Sequence, residues 1–441
     1  MKILSLPLLR RSRNDRETAM SDPLQVIVVG GGAAGFFGAI ACARTNPQAQ
    51  VTLLEASSKF LTKVRISGGG RCNVTHACFD PAQLAQNYPR GSKALRGPFA
   101  RFQPQDTVEW FRQAGIELKT EADGRMFPTT DNSETIARCL LDTAEAAGVT
   151  LRTRTKVTAM VRRTGAVGTI APKGEQFAVT TKSGETLLAD RVLLATGSSR
   201  QGYELAKSLG HQIQPPVPSL FTFNIDDPDL HALAGITIDP VQVQLPQGKL
   251  KQTGPLLVVH WGLSGPAVLK LSAWGARFLH DCNYKTPLRV NWLPKENPEH
   301  IKETMQQLRS QSPRKAIASW CPFGLPKRLW QYLLASLNID LSKRWSQISN
   351  KEIQRLQQAL IQSQYQITGK GVFKEEFVTC GGVSLKEVDF KTMESRCCQH
   401  LYFAGEILDI DAVTGGFNFQ SAWTTAWLAG CAMAQTTRSQ T

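Results

Sequence analysis

The hydrophobic pattern changes texture several times along the chain, and each change marks an element. The run Val26-Ile27-Val28-Val29 is apolar without alternation, as expected of a strand covered on both faces. Three glycines follow, then a largely apolar stretch read as a helix, then a second apolar strand at Val51-Thr52-Leu53-Leu54. Residues 24–60 therefore predict a β-α-β unit. Helices are predicted over 104–115 and 133–148, and strands over 151–161 and 177–182. Another apolar strand, Arg191-Val192-Leu193-Leu194-Ala195, ends in Thr196-Gly197. From about 212 to 297 the apolar runs shorten and are punctuated by proline and glycine, which predicts a β-rich insertion. Residues 298–366 read as helices, with apolar spacing in 301–308 and 329–337 and loops at Pro313, Pro322 and Pro326. The segments 376–382 and 401–405, and a helix after Gly416, return to the α/β texture.

Composition narrows the class. At 441 residues the chain exceeds one simple core, so two or three domains are expected. With 42% hydrophobic residues and no low-complexity tract, a folded cytoplasmic protein is expected; no apolar run reaches the roughly 18 to 20 residues of a membrane helix. The start is apolar and then arginine-rich (Arg10, Arg11, Arg13, Arg16) without a small-residue cleavage site, which argues against a secretory signal. Residues 1–20 are expected to be a disordered extension or a mis-assigned start ahead of Met20, with a transit peptide as the minor option. Ten cysteines lack C-x-x-C spacing and seven histidines lack H-E-x-x-H, so reduced thiols and no metal site are expected. The 51 Lys and Arg against 36 Asp and Glu give +15, more than an enzyme for a small neutral metabolite needs. Such a field suits a polyanion such as nucleic acid, or serves solubility alone.

The glycine turn carries the most specific chemistry. In Val29-Gly30-Gly31-Gly32-Ala33-Ala34-Gly35, Gly30 permits the tight turn and Gly32 lets the backbone approach a pyrophosphate. Gly35 lets the helix pack close to the strand, with its N-terminal N–H groups facing the anion. Glu55, twenty residues after Gly35 and ending the second strand, would accept hydrogen bonds from the adenosine ribose hydroxyls. The fold class is thus α/β, with a Rossmann-like dinucleotide-binding domain. That domain is discontinuous, over 21–210 and 367–441. A β-rich domain (211–297) and a small helical domain (298–366) are inserted into it.

Four more segments carry candidate chemistry. Lys63-Val64-Arg65-Ile66-Ser67-Gly68-Gly69-Gly70-Arg71-Cys72-Asn73 allows close backbone approach to a flat ring or phosphate. Asp123-Gly124-Arg125-Met126-Phe127-Pro128 presents a guanidinium beside apolar side chains and is ambiguous alone. In His260-Trp261-Gly262-Leu263-Ser264, His260 and Ser264 suit either catalysis or backbone hydrogen bonding in a tight turn. The last is Leu401-Tyr402-Phe403-Ala404-Gly405-Glu406, followed by Gly415-Gly416-Phe417-Asn418-Phe419. Glu406 can hold a polyol hydroxyl, and the helix opening at Gly416 can face the N1/O2 edge of a flavin and stabilise negative charge there. Gly197 ends the apolar strand where many flavoproteins return the chain to the dinucleotide.

Together ISGGGRCN, DGRMFP, HWGLSGPA, EEFVTCGGVSLKEVDFKTMESR and LYFAGEILDIDAVTGGFNFQSAWTT resemble the BaiN/RdsA family of FAD-dependent oxidoreductases, from about residue 24 to 435. The resemblance implies FAD contacts at Gly30, Gly32, Ala33, Ala34, Glu55, Lys63, Gly70, Arg71, Cys72 and Asn73. It also implies a backbone contact of Val157 with adenine, and a flavin site completed by Gly405, Glu406, Gly416, Phe417, Asn418 and Phe419. One departure is the short loop Ser198-Ser199-Arg200-Gln201-Gly202-Tyr203, where many members are longer.

The family's reactions include ribosomal RNA dihydrouridine synthesis, bile-acid pathway reduction and aminoacetone oxidation. The +15 charge, with ten Lys and Arg against four Asp and Glu in 298–366, favours ribosomal RNA as partner. Reduced flavin would deliver hydride to C6 of a uracil unstacked from the RNA, and an acid would protonate C5. Cys380, Cys72 and His260 are the candidate acids, although either cysteine taken alone reads more readily as an inert buried thiol. A single dinucleotide fingerprint makes NAD(P)H a transient electron donor. The alternatives are a small-molecule oxidase or reductase, and a flavoprotein that binds RNA without modifying it.

Overall fold

Seven strands form the sheet around which the chain is organised, in the spatial order Val388–Asp389, Glu394–Ser395, Leu401–Phe403, Arg191–Leu194, Gln25–Val29, Gln50–Leu54, Thr150–Arg152. The structure is a computed structural model that describes residues 23–163, 176–371 and 378–435; the extension expected at 1–20 lies outside them. The last five strands run parallel, and the first two form an antiparallel edge. Val26, Val28, Leu53 and Leu193 are buried, which is why these strands are apolar without alternation.

Two helices lie against each other beside the sheet, the first helix (Ala33–Thr45) and the C-terminal helix (Phe417–Ala434). Glycines set their separation: a Cβ on Gly430 would lie 2.4 Å from the Gly38 carbonyl oxygen. The C-terminal helix is buried almost all round, so its sequence shows no polar stripe. The glycine turn before the first helix and the turn at Gly415-Gly416 before the last one are thereby brought together from opposite ends of the chain.

The β-rich insertion is a closed antiparallel barrel of six strands, ordered Phe223–Ile225, Gly262–Ser264, Leu250–Val259, Thr237–Leu245, Thr286–Asn291 and Ser363–Lys370. The last of these contains the boundary expected at 366/367. Between the final two strands are inserted the helices Pro298–Gln311, Lys327–Ser336 and Asn350–Gln362. They share one hydrophobic core with the barrel, in which Trp292, Trp330 and Trp345 are fully buried. The barrel is joined to the sheet by an antiparallel pair, Ile213–Ser219 with Val378–Val383. No helix among the described residues is long and apolar enough to cross a membrane.

Candidate functional site

The first turn is built around backbone that no side chain can enter. Gly30 has φ +113°, and a Cβ there would lie 2.4 Å from the Ala195 carbonyl oxygen. A Cβ on Gly35 would lie 1.8 Å from the Gly30 carbonyl oxygen, so the helix can meet the turn only through glycine. The Glu55 carboxylate closes this corner. It accepts the Gly31 N–H at 2.8 Å on one oxygen and the Ser57 N–H at 2.7 Å on the other. Each oxygen keeps a lone pair for a further donor. Gly32, the N-cap of the first helix, has no capping side chain and open space where a Cβ would stand.

That turn forms one wall of a cleft of about 800 Å³. The glycine loop forms another, with Gly68, Gly69 and Gly70 all at positive φ, a path that L side chains rarely follow. Lys63 from this loop reaches Glu406 at 2.7 Å, and the other Glu406 oxygen accepts the Thr379 N–H at 3.1 Å. Glu406 is thus held by a cation from one end of the chain and an amide from the other.

The third wall is the turn that opens the C-terminal helix. Gly416 has φ +88° and, like Gly32, caps its helix without a side-chain acceptor. Three side chains fix the turn from behind. The Asn73 amide, oriented as its neighbours require, accepts the Gly416 N–H at 2.9 Å and donates to the Thr75 carbonyl at 3.0 Å. His76 places Nδ1 3.0 Å from the Gly415 carbonyl and its ring 4.5 Å from that of Phe417. Burial lowers its pKa, so the neutral ring donates Nδ1–H to that carbonyl. Asn418 bonds to both the N–H and the carbonyl of Ala412, which locks the preceding loop.

Of the residues singled out by sequence, Gly30, Gly32, Ala33, Ala34, Glu55, Lys63, Asn73, Gly197, Gly405, Glu406, Gly416, Asn418 and Phe419 line this cleft. Gly35, Gly70, Arg71, Cys72, Val157 and Phe417 do not. Arg71 turns away to Glu121 at 2.7 Å, with its guanidinium 4.0 Å from the centre of the Phe127 ring. Val157 is buried in a separate three-stranded sheet. The chain just before it, at Arg154 and Thr155, bonds to the backbone of Ser57 and Glu55.

The three candidate acids lie elsewhere. Cys72 is buried in the main core, and burial pushes its thiol up to about 12. Cys380 sits in a small apolar cluster with Val217 and Ala276, where burial pushes it up to about 11. His260 is exposed in the turn between two barrel strands. The described residues lining the cleft include no cysteine and no histidine. Sequence reasoning leaves Arg125 and Phe127 ambiguous, and both line the cleft; it passes over Leu220 and Thr414 and gives Ile66 no role, and these line it too. Ile66 is half exposed there, an apolar side chain on the cleft wall.

One further cluster has ligand-type atoms in reach of a metal: His211, Glu387 and Cys397, within 4.8 Å of one another. Burial lowers the His211 pKa, and the neutral ring is satisfied on both sides, by Glu387 at 3.1 Å and the Ser395 hydroxyl at 2.9 Å. Hydrogen bonding accounts for the imidazole and the carboxylate of this cluster.

The cleft's walls fit a dinucleotide with an anionic middle and a flat, electron-accepting end. Two helix N-termini whose N-cap is glycine open into the same space, where N–H groups and positive dipole ends suit an anionic partner. Glu55 and Glu406, 351 positions apart in sequence, offer carboxylates for hydroxyl groups at separate places along it.

Comparison with known proteins agrees with this geometry. The family description "HI0933-like protein Rossmann domain" matches residues 24–432. A protein of Escherichia coli (strain K12) named ribosomal RNA dihydrouridine synthase is 31% identical, over 91% of this chain and 96% of its own. A protein of the same name from Haemophilus influenzae is 29% identical, over 94% of this chain and 99% of its own. A 3-dehydro-bile acid delta(4,6)-reductase of Clostridium scindens is also 29% identical, over 92% and 98%.

Proposed function

The chain belongs to the HI0933-like Rossmann-domain family of FAD-dependent oxidoreductases, and from that premise we propose that it reduces uridine to dihydrouridine in ribosomal RNA. The observation that carries this reading is charge. A surplus of fifteen cations is costly self-repulsion for an enzyme of small neutral substrates and an asset for one that must hold a phosphate backbone.

When bound, FAD supplies the hydride for C6 of the uracil ring. The chain's residues bind, orient and enclose. In this reading the Gly30–Gly32 turn and the first helix take the pyrophosphate, and Glu55 takes the ribose hydroxyls with its free lone pairs. Glu406, held by Lys63, takes a hydroxyl further along the cofactor. The N-terminus of the C-terminal helix, held by Asn73 and His76, would offer N–H groups and a positive dipole end to the cofactor and so favour negative charge on it. Ile66, Leu220 and Phe419 supply apolar surface that excludes water from the face where substrate is admitted. The proton for C5 comes from a donor other than Cys72, Cys380 and His260, none of which lines the cleft. NAD(P)H is the proposed electron donor, visiting the same cleft before the RNA does.

Mass spectrometry of ribosomal RNA from a deletion strain tests the proposal. Dihydrouridine disappears and is restored by the wild-type gene; an unchanged dihydrouridine content overturns it. The likeness to the bile acid reductase favours one other reading, reduction of a small conjugated ketone. In that case the purified protein turns over a 3-oxo steroid diene and the ribosomal RNA of the deletion strain is unaltered.

A further inference from the structure

Far along the chain from the glycine turns, the inserted helices present an arrangement that the chemistry of the cleft does not use. Trp320 is 47% exposed, although the residues on both sides of it are anchored: Ala318 and Cys321 are buried. The Ile317 carbonyl accepts from Trp330 Nε1 at 2.8 Å, and the Ala318 carbonyl from Gln331 Nε2 at 3.2 Å. These bonds pin the segment to the first turns of the helix Lys327–Ser336, so the indole stands outward on rigid backbone. Lys315 lies over it, with Nζ 4.7 Å from the ring centre.

Further cations are carried on the segments that anchor the indole. The segment carrying Arg314 and Lys315 pairs with the one carrying Lys343 and Arg344. Ala316 bridges Arg344, the Ile317 N–H donates to the Lys343 carbonyl at 2.8 Å, and the Trp345 N–H to the Lys315 carbonyl at 3.0 Å. The nearby acids are engaged: Glu352 holds Lys343 at 2.7 Å and Asp340 accepts from Ser342. Arg314, Lys327 and Arg344 are exposed, and none forms an ion pair among the described residues. Lys327 opens its helix next to Pro326, at the end where the dipole disfavours a cation and no side chain caps the N–H groups. Two local rules are broken within eight residues, an outward indole and a cation at a positive helix end, and such departures mark a functional segment.

We infer that Trp320, with Lys315 over its ring and Arg314, Lys327 and Arg344 on the segments that anchor it, is a stacking platform for an unpaired nucleobase of single-stranded RNA, with the cations taking the adjoining phosphates. An indole stacks on any base, and a cation on its other face strengthens the stack. The inference rests on the RNA reading of the cleft only for its choice of partner. It adds a site that holds the strand outside the cleft while a uridine is presented within it.

Binding of a fluorescent single-stranded oligouridylate to the FAD-loaded full chain tests it, with heparin as a polyanion that has no bases. Trp320→Ala weakens oligouridylate binding about tenfold and leaves heparin binding unchanged, and Trp320→Phe retains most of the affinity. Arg314→Gln with Arg344→Gln weakens both ligands and flattens the salt dependence by about one unit of slope for each phosphate no longer neutralised. Bound-flavin absorbance and thermal melting confirm that each variant is folded. Equal oligouridylate affinity of wild type and Trp320→Ala overturns the platform and leaves Trp320 to a protein partner, as does failure of the wild type to bind. If Trp320→Ala loses oligouridylate while the deletion strain keeps its dihydrouridine, the platform stands and the substrate reading of the cleft falls.

Discussion

Cys72 and Cys380 show how far a residue's chemistry depends on where its side chain ends. Both flank motifs that line the cleft, since Asn73 follows Cys72 and Val378 precedes Cys380 by two positions. Each thiol nonetheless points into apolar packing, where desolvation holds it protonated: about 12 for Cys72 and about 11 for Cys380. A protonated thiol can serve as an acid only where it meets the substrate, and neither of these lines the cleft. Cys72→Ala and Cys380→Ala are therefore each expected to keep FAD and to restore dihydrouridine in the deletion strain as well as wild type does. A variant that holds FAD but fails to restore it would return that cysteine to the mechanism. The residues legible in sequence were those whose backbone is the functional group. Gly30 and Gly35 are dictated by close approach of backbone, Gly32 leaves open space at the cleft, and the carboxylate of Glu55 was legible from its spacing after them. Side-chain direction was not legible, because Arg71 and Arg125 occupy similar motifs and only Arg125 faces the cleft.

Elements were legible where their pattern is local. The helix Asn350–Gln362 carries its own start signal: Ser349 and Glu352 form a capping box, with the Ser349 N–H donating to Glu352 at 2.7 Å and the Glu352 N–H to the Ser349 hydroxyl at 3.2 Å. Burial alone would raise the Glu352 pKa, but Lys343 and Ser349 outweigh it and hold the carboxyl at about 2. Because this folded value lies below the unfolded one, near 4.5, the contribution is present above pH 4.5. It is lost as pH falls from there through about 2. Glu352→Gln is expected to cost about 1 kcal/mol at pH 7, the usual worth of a cap, and only a small part of that near pH 2. Urea unfolding at the two pH values measures this, and an equal cost at both would show that the carboxylate charge is not what holds the cap. The barrel was legible only as a β-rich stretch. Its closure depends on Phe223–Ile225 pairing with Ser363–Lys370 across the inserted helices, and short apolar runs carry no trace of so distant a partner. The C-terminal helix, apolar on every side, gave its start at Gly416 but not its burial against the first helix through Gly38 and Gly430.

At the scale of the molecule the question is what keeps the barrel in register with the sheet, since the cleft takes Leu220 from the segment leading into the barrel and Ile410 from the loop after a sheet strand. Arg90 and Asp411, 321 positions apart, form an ion pair there with Asp411 wholly buried. Around the pair, the Ser219 hydroxyl donates to Asp411 at 2.6 Å and Arg90 donates to the Ala273 carbonyl at 2.7 Å. Ser219 ends the strand that leads to the barrel, and Ala273 belongs to a helix packed against barrel strands. Four segments are thus tied at one buried point, one residue from a wall of the cleft. Asp411→Ala leaves the Arg90 guanidinium, 16% exposed, without its counter-charge, and is expected to cost about 3–5 kcal/mol of unfolding free energy. The double change Arg90→Met with Asp411→Leu removes both charges and recovers most of that loss, because the cost lies in stranding one charge. FAD affinity separates stability from register. If the clamp positions the Ile410 wall, the double variant regains stability yet still binds FAD more weakly than wild type. Calorimetric unfolding and flavin titration on the same variants decide the point: full recovery of both would reduce the pair to packing, and weak FAD binding in a restored fold would make it the hinge pin of the cleft.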